Sequence, residues 1–259
     1  MAGPARAYLM RGATSLSPPS AVAPPVLSAG GRCRALLGPT ACQSQDPQPG
    51  SRLSNPENGW MRIGILVFDQ VDLLDVGGPY EVFLTASRLV VRDGGEAPFE
   101  VLTVGVGADS VAAYGGLRLV PQAALAECGS LDVLVVPGAI VIDEVLADGS
   151  LMDAVAPVAR AAPVVASVCT GAFVLGALGL LDGRPWTTHW EDVEMLSGRI
   201  GARGEGWVRW VDSGEVVTAG GLSSGIAMSL HLVERFAGRE LAVKTAKQIE
   251  YEWDPVAGG

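Results

Sequence analysis

The chain has 259 residues, 49% of them hydrophobic, and a formal net charge of −10. This is the composition of an acidic globular protein with enough apolar material for a large core. It disfavours nucleic acid as a partner, because tracking a phosphate backbone calls for a basic face, so a small molecule is expected instead.

The first sixty residues hold nine of the seventeen prolines, five arginines, no lysine and two acids, with no sustained apolar periodicity. They are expected to be a disordered or non-native leader, followed by one α/β domain over 61–259. The stretch VLSAGGRCRALLG is too interrupted for a signal-peptide core, which makes the cytoplasm the expected compartment.

From Met61 the pattern changes. RIGILVF reads as a buried strand, and GGPYEVFLTASRLVVR as a helix with Tyr80, Phe83, Leu84 and Ser87 at helical spacing. FEVLTVG is a second strand, and SVAAYGGLRLV a hairpin turning at Gly115-Gly116. LDVLVVPGA is a fully apolar strand ending in Pro-Gly, with a helical stretch following through MDAVAPVARAA. PVVASV is a further strand, leading through Cys169 into the helix TGAFVLGALGLL. WVRWVDSGEVVTAGG reads as a hairpin with Ser213-Gly214 at its turn, and 222–251 as largely helical. Strands alternating with helices predict a three-layer α/β sandwich with a mostly parallel, flavodoxin-like sheet. Residues 161–181 carry no charge and are long enough to span a bilayer, but Pro163, the internal glycines, Ser167 and Thr170 fit strand, turn and buried helix better. No membrane association is expected.

Cys33, Cys42, Cys128 and Cys169 form no C-x-x-C pair, and with two histidines in the chain neither a metal site nor a disulfide framework is expected. Cys169 stands out because Ser167-Val168-Cys169-Thr170-Gly171 has the small-x-nucleophile-x-Gly spacing of a nucleophile elbow. A helix N-terminus favours a thiolate by only about 0.3–1 kcal/mol, less than one pKa unit, so a second group is needed to activate it. Spacing alone supports nucleophile and core filler equally. Asp75 adds weight to the first reading. It follows the first strand, precedes the glycine pair and helix, and sits among Leu73, Leu74 and Val76, where a carboxyl group is desolvated and its pKa raised. Asp69 and Asp72 read as a solvated loop acid or helix cap. His189 reads as a pocket wall before a catalytic base, and His231, in MSLHLVERF, as structural. Trp186, Trp190, Trp207 and Trp210 suit core packing, an apolar pocket or an interface.

Taken together, IGILVF, LDVGGPYEVF, LDVLVVPGA, SVCTGAFVLGALGLLDGRPWTTHW, VVTAGGLSSGIAMSL and QIEYEWDP resemble the ThiJ/PfpI superfamily of glutamine-amidotransferase-like proteins, and within it the isonitrile-hydratase branch. The resemblance implies cofactor-independent hydration of an isonitrile to an N-substituted formamide by a hydro-lyase, usually a homodimer. It puts the catalytic roles on Cys169, Asp75 and Thr170, and pocket or oxyanion roles on Gly138, Ala139 and His189, with Ala139 and Thr170 N–H groups as donors. Two positions depart from the branch: Gly77 stands where it has threonine, and Ala139 where Pro-Gly-Gly is usual. Ala139 can still donate its N–H unless the site needs a positive φ. The superfamily also contains non-enzymatic, ligand-sensing domains of transcription regulators and enzymes of the glyoxalase or deglycase type, so these readings stand beside the first.

Overall fold

A computed structural model describes residues 59–254. The expected leader, with Cys33 and Cys42, therefore lies outside the described residues except for Gly59 and Trp60. Five parallel strands carry the fold: β1 (Met61–Leu66), β2 (Phe99–Gly105), β6 (Val133–Val136), β7 (Val164–Val168) and β9 (Val216–Ala219). Short β5 (Ala123–Ala124) and antiparallel β8 (Trp210–Asp212) form the edges of a seven-stranded sheet ordered β5-β2-β1-β6-β7-β9-β8. All four residues of β6 and all five of β7 are buried, as expected of central strands covered on both faces. Strands β3 (Val111–Ala112) and β4 (Arg118–Leu119) form the expected hairpin, with Gly115 and Gly116 at positive φ.

On one face pack α1 (Leu73–Arg92), α6 (Ser224–Ala237) and α7 (Arg239–Gln248), and on the other α2 (Ile142–Ala147), α3 (Gly149–Ala161), α4 (Gly171–Ala177) and α5 (Val193–Ile200). Several boundaries differ from the sequence expectation. Helix α1 begins at Leu73, four residues before Gly77, because the Asp72 carboxylate caps it by accepting from Leu74 N–H at 3.1 Å. Asp75 thus lies inside the first turn and not ahead of the helix. The buried face of α1 includes Val82, Phe83 and Ala86, while Leu84 is exposed. Helix α4 stops at Ala177, where Gly179 takes a positive φ, and the C-terminal helix is broken in two at Gly238 (φ +96°). Helix α5 was not expected from the pattern, and the helical stretch expected after β6 is divided at Asp148 into α2 and α3.

The uncharged run 161–181 divides into β7, a tight turn and α4. Among the described residues no helix is long and apolar enough to cross a membrane. Asp69, the other loop acid, accepts from Ala112 N–H at 2.7 Å and so holds the β3–β4 hairpin against the end of β1.

Candidate active site

Because β1, β6 and β7 are adjacent and parallel, the turns after them open on one edge of the sheet, where ligand crevices of open α/β sheets lie. That edge receives Asp75 from α1, Gly138 and Ala139 after β6, and Cys169 and Thr170 after β7. Cys169 has φ +56°, in the left-handed region, at a cost of about 1–2 kcal/mol for a residue with a Cβ. Its N–H donates to the carbonyls of Ala219 (3.1 Å) and Gly220 (3.0 Å), and its own carbonyl accepts from Thr188 Oγ1 at 2.8 Å. The turn is tight enough to demand glycine nearby. A methyl on Gly171 would collide with the Val136 carbonyl oxygen, and one on Gly138 would stand 2.7–2.9 Å from Thr170 and the Cys169 Cβ. Gly171→Ala is therefore expected to destabilise the fold by about 3 kcal/mol, which a thermal melt would register as a fall of roughly 6–12 °C.

The Asp75 carboxyl is fully buried. Its Oδ2 accepts from Gly138 N–H at 3.0 Å, and its Oδ1 has no hydrogen-bond partner of ordinary geometry among the described residues. Burial pushes its pKa up to about 7, with Gly138 N–H, Leu222 N–H and the Cys169 thiol acting in the opposite sense and Asp72 adding to the rise. Cys169 is pushed up to about 12, first by burial and then by the neighbouring Asp75 charge. Asp72 and Asp192 add smaller repulsions, and only Thr170 N–H, which faces the sulfur, favours the thiolate. The group beside the elbow cysteine is thus a carboxyl and not a cation. The resting site is a thiol beside a carboxyl that is half ionised near neutrality, and the two titrate as a pair.

Thr170 Oγ1 donates to the Ala139 carbonyl (2.8 Å) and accepts from Ala139 N–H (2.9 Å). This reciprocal clamp changes what was expected of both residues. The Ala139 N–H is already committed to Thr170, and the single proton of the Thr170 hydroxyl is spent on the Ala139 carbonyl, which leaves that oxygen one acceptor site and no donor for a water. Ala139 is not at positive φ, so its departure from Pro-Gly-Gly leaves the backbone unstrained. A side chain at Gly77 would enter open space, and nothing in the packing explains the glycine there.

His189 stands between two clefts at this edge. One, about 500 Å³, includes Ala139, Ile140, Thr170, Glu144, Glu191 and Asp192; the other, about 420 Å³, includes Thr188, Trp190, Trp207, Arg209, Leu222 and Ser223. The His189 Nδ1 accepts from Glu191 N–H at 3.4 Å and lies 3.6 Å from an Asp192 carboxylate oxygen, while its other edge lies over Gly221. A similarly sized cleft, about 540 Å³, lies at the opposite end of the sheet between α1, β2 and α7, and includes no cysteine or histidine. His231 is bound to Asp212 (Nε2 to Oδ2, 2.7 Å) and stacked on Trp210, in keeping with a structural role. Trp186 and Trp210 are core residues. Leu222 is the site residue that sequence reasoning missed. It has φ +51° and directs its N–H toward Asp75; the GGLSSG segment around it was the available signal.

Several known proteins share this arrangement of sequence and fold. The isonitrile hydratase of Pseudomonas putida is 34% identical over 193 residues, covering 74% of this chain and 78% of that protein. The HTH-type transcriptional regulator GbdR of Pseudomonas aeruginosa is 26% identical over 199 residues, 76% of this chain but 52% of the regulator. Among solved structures, a ThiJ/PfpI family protein from Pseudomonas syringae superposes with a TM-score of 0.66 at 27% identity, covering 82% of this chain and 84% of that one. The model of the DJ-1/PfpI family matches residues 61–235, so that elbow, sheet order and sequence agree: the chain belongs to the DJ-1/PfpI family.

Proposed function

We propose that this protein is a cofactor-independent hydro-lyase that adds water to an isonitrile, R–N≡C, to give the formamide R–NH–CHO. The observation that carries this reading is the buried Asp75 carboxyl facing the Cys169 thiol, with no cation beside either among the described residues. An isonitrile is attacked and protonated at the same terminal carbon, so its hydration needs a nucleophile and an acid converging on one atom. A carbonyl substrate would instead need donors at an oxygen set apart from the attacked carbon, and one expected donor, Ala139 N–H, is occupied. The 34% identity to an isonitrile hydratase supports the same choice.

In the first step the sulfur of Cys169 bonds to the terminal carbon while the single proton of the Cys169–Asp75 pair passes to that carbon, leaving a thioimidate and an ionised Asp75. Asp75 then removes a proton from water as the oxygen adds to carbon, and returns it to nitrogen. Collapse of the adduct breaks the C–S bond, and the hydroxyl proton returns to the pair as the formamide leaves. Thr170 positions the Ala139 loop through its two hydrogen bonds, and its N–H supports the sulfur as negative charge develops. His189 lines the pocket. The reading includes a homodimer in the cytoplasm that requires no metal or cofactor.

The test is formamide production from cyclohexyl isocyanide by the full chain. Turnover is expected. A purified, folded protein that yields no formamide from it or from other isocyanides, yet binds a small ligand, would replace the hydratase with a sensor domain, the reading favoured by the 26% match to a regulator.

A further inference from the structure

The reaction derived above uses only the terminal carbon and nitrogen of the substrate, so where the substituent R goes is a separate question. Two clefts are lined by neighbours of Cys169, Thr170 in one and Thr188 and Gly220 in the other, and they differ in chemistry. The cleft on the Thr170 side sets Ile140 and Met195 among four carboxylates, Asp143, Glu144, Glu191 and Asp192, whose desolvation would oppose an apolar group. On the other side Trp190 and Trp207 stack with ring centroids 4.6 Å apart, yet remain 50% and 80% exposed. Large stacked aromatics left in water beside a nucleophile mark a binding surface.

The pose of this pair is built and not accidental. Trp207 holds φ +64°, a strained conformation for a bulky residue. Its loop is tied to the segment carrying Trp190 by the Thr187–Glu205 bridge, by Glu205 N–H donating to the Trp186 carbonyl (2.8 Å) and by Thr187 Oγ1 donating to the Glu205 carbonyl (2.6 Å). The same segment is anchored to the sheet, through Thr187 N–H to Thr218 Oγ1 at 2.8 Å, and to the nucleophile, through Thr188 Oγ1 to the Cys169 carbonyl. The same cleft is lined by Leu222, whose N–H approaches Asp75. The cleft of the aromatic shelf is therefore linked to both residues of the reacting pair, to Cys169 through Thr188 and to Asp75 through Leu222.

We infer that Trp190 and Trp207 form the subsite for the substituent, so that a flat group draws binding from the shelf that a small one cannot. The inference rests on the hydratase reading for the word substrate, but the subsite can be tested apart from it.

The experiment compares kcat/KM for benzyl isocyanide and methyl isocyanide in the full chain and in its Trp207→Ala and Trp190→Ala variants. The ratio of benzyl to methyl is expected to fall about tenfold in each variant, the scale of one lost aromatic contact. An unchanged ratio overturns the subsite. In parallel, the unreactive N-benzylformamide is titrated against tryptophan fluorescence, with saturable quenching expected and about tenfold weaker binding in Trp207→Ala. If neither isocyanide turns over but this Trp207-dependent binding persists, the shelf stands and the hydratase reading falls. If Trp207→Ala instead converts a dimer to a monomer by sedimentation, the shelf is a subunit contact and the inference is wrong.

Discussion

Replacing Cys169 with alanine is expected to abolish isonitrile turnover, a loss of at least about a thousandfold in kcat, while the protein stays folded. Alanine keeps the Cβ and so the same left-handed backbone cost, and the Cys169 N–H bonds to Ala219 and Gly220 do not involve the sulfur. The variant should melt within a few degrees of the parent. Formamide release followed by chromatography checks the first part and a calorimetric scan the second. More than about a tenth of the parent rate in a folded variant would eliminate covalent catalysis and leave water as the direct nucleophile. The unmodified thiol should also alkylate slowly at pH 7, because its pKa is pushed up to about 12 by burial and by Asp75. A thiol held this high reacts by giving up its proton during attack, which is why a carboxylate beside it that can relay that proton matters.

Asp75→Asn is the second large effect. It keeps the size of the side chain and an oxygen for Gly138 N–H, but removes the carboxylate that relays the pair's proton, and kcat is expected to fall by about 10²–10⁴. In the parent, activity should rise with pH through a midpoint near 7, as the pair loses the first of its two protons, and stay level into the alkaline range; in Asp75→Asn that midpoint should be absent. A pH–rate profile for both proteins decides this. Stability should move the opposite way. Burial raises the folded pKa of Asp75 above its unfolded value, so its contribution to stability is fully present below about pH 4 and is lost as pH rises through 7. Asparagine escapes that loss. Its melting temperature, relative to the parent, should therefore climb between pH 4 and pH 7 and at pH 8 exceed the parent's by about 5 °C or more, since each kcal/mol is worth about 2–4 °C at this size. An acid retained at such a cost is the mark of a functional group. Equal melting temperatures at pH 5 and pH 8 would mean that Asp75 is not desolvated as described.

Much of the molecule could be read from the chain, because β6 and β7 are short, unbroken apolar runs that only a doubly covered sheet satisfies, and because Ser167, Cys169 and Gly171 carry the spacing of a turn too tight for larger neighbours. Asp75 was legible as an acid among apolar residues, though its place inside α1 was not. The Asp72 cap that starts that helix early competes with the glycine pair, and the sequence does not show which wins. What only the tertiary structure decided is how these residues are paired. The adjacency of β1, β6 and β7 puts Asp75 on Gly138 N–H and next to Cys169, closes Thr170 onto Ala139 instead of leaving both free for substrate, and brings Leu222 from 53 residues beyond Cys169 to the acid. The sequence by itself determined which side chains could carry the chemistry, since residue type and local spacing are properties of the chain. It could not determine their protonation or their free valences, because burial, charge proximity and hydrogen bonding arise between segments distant in sequence.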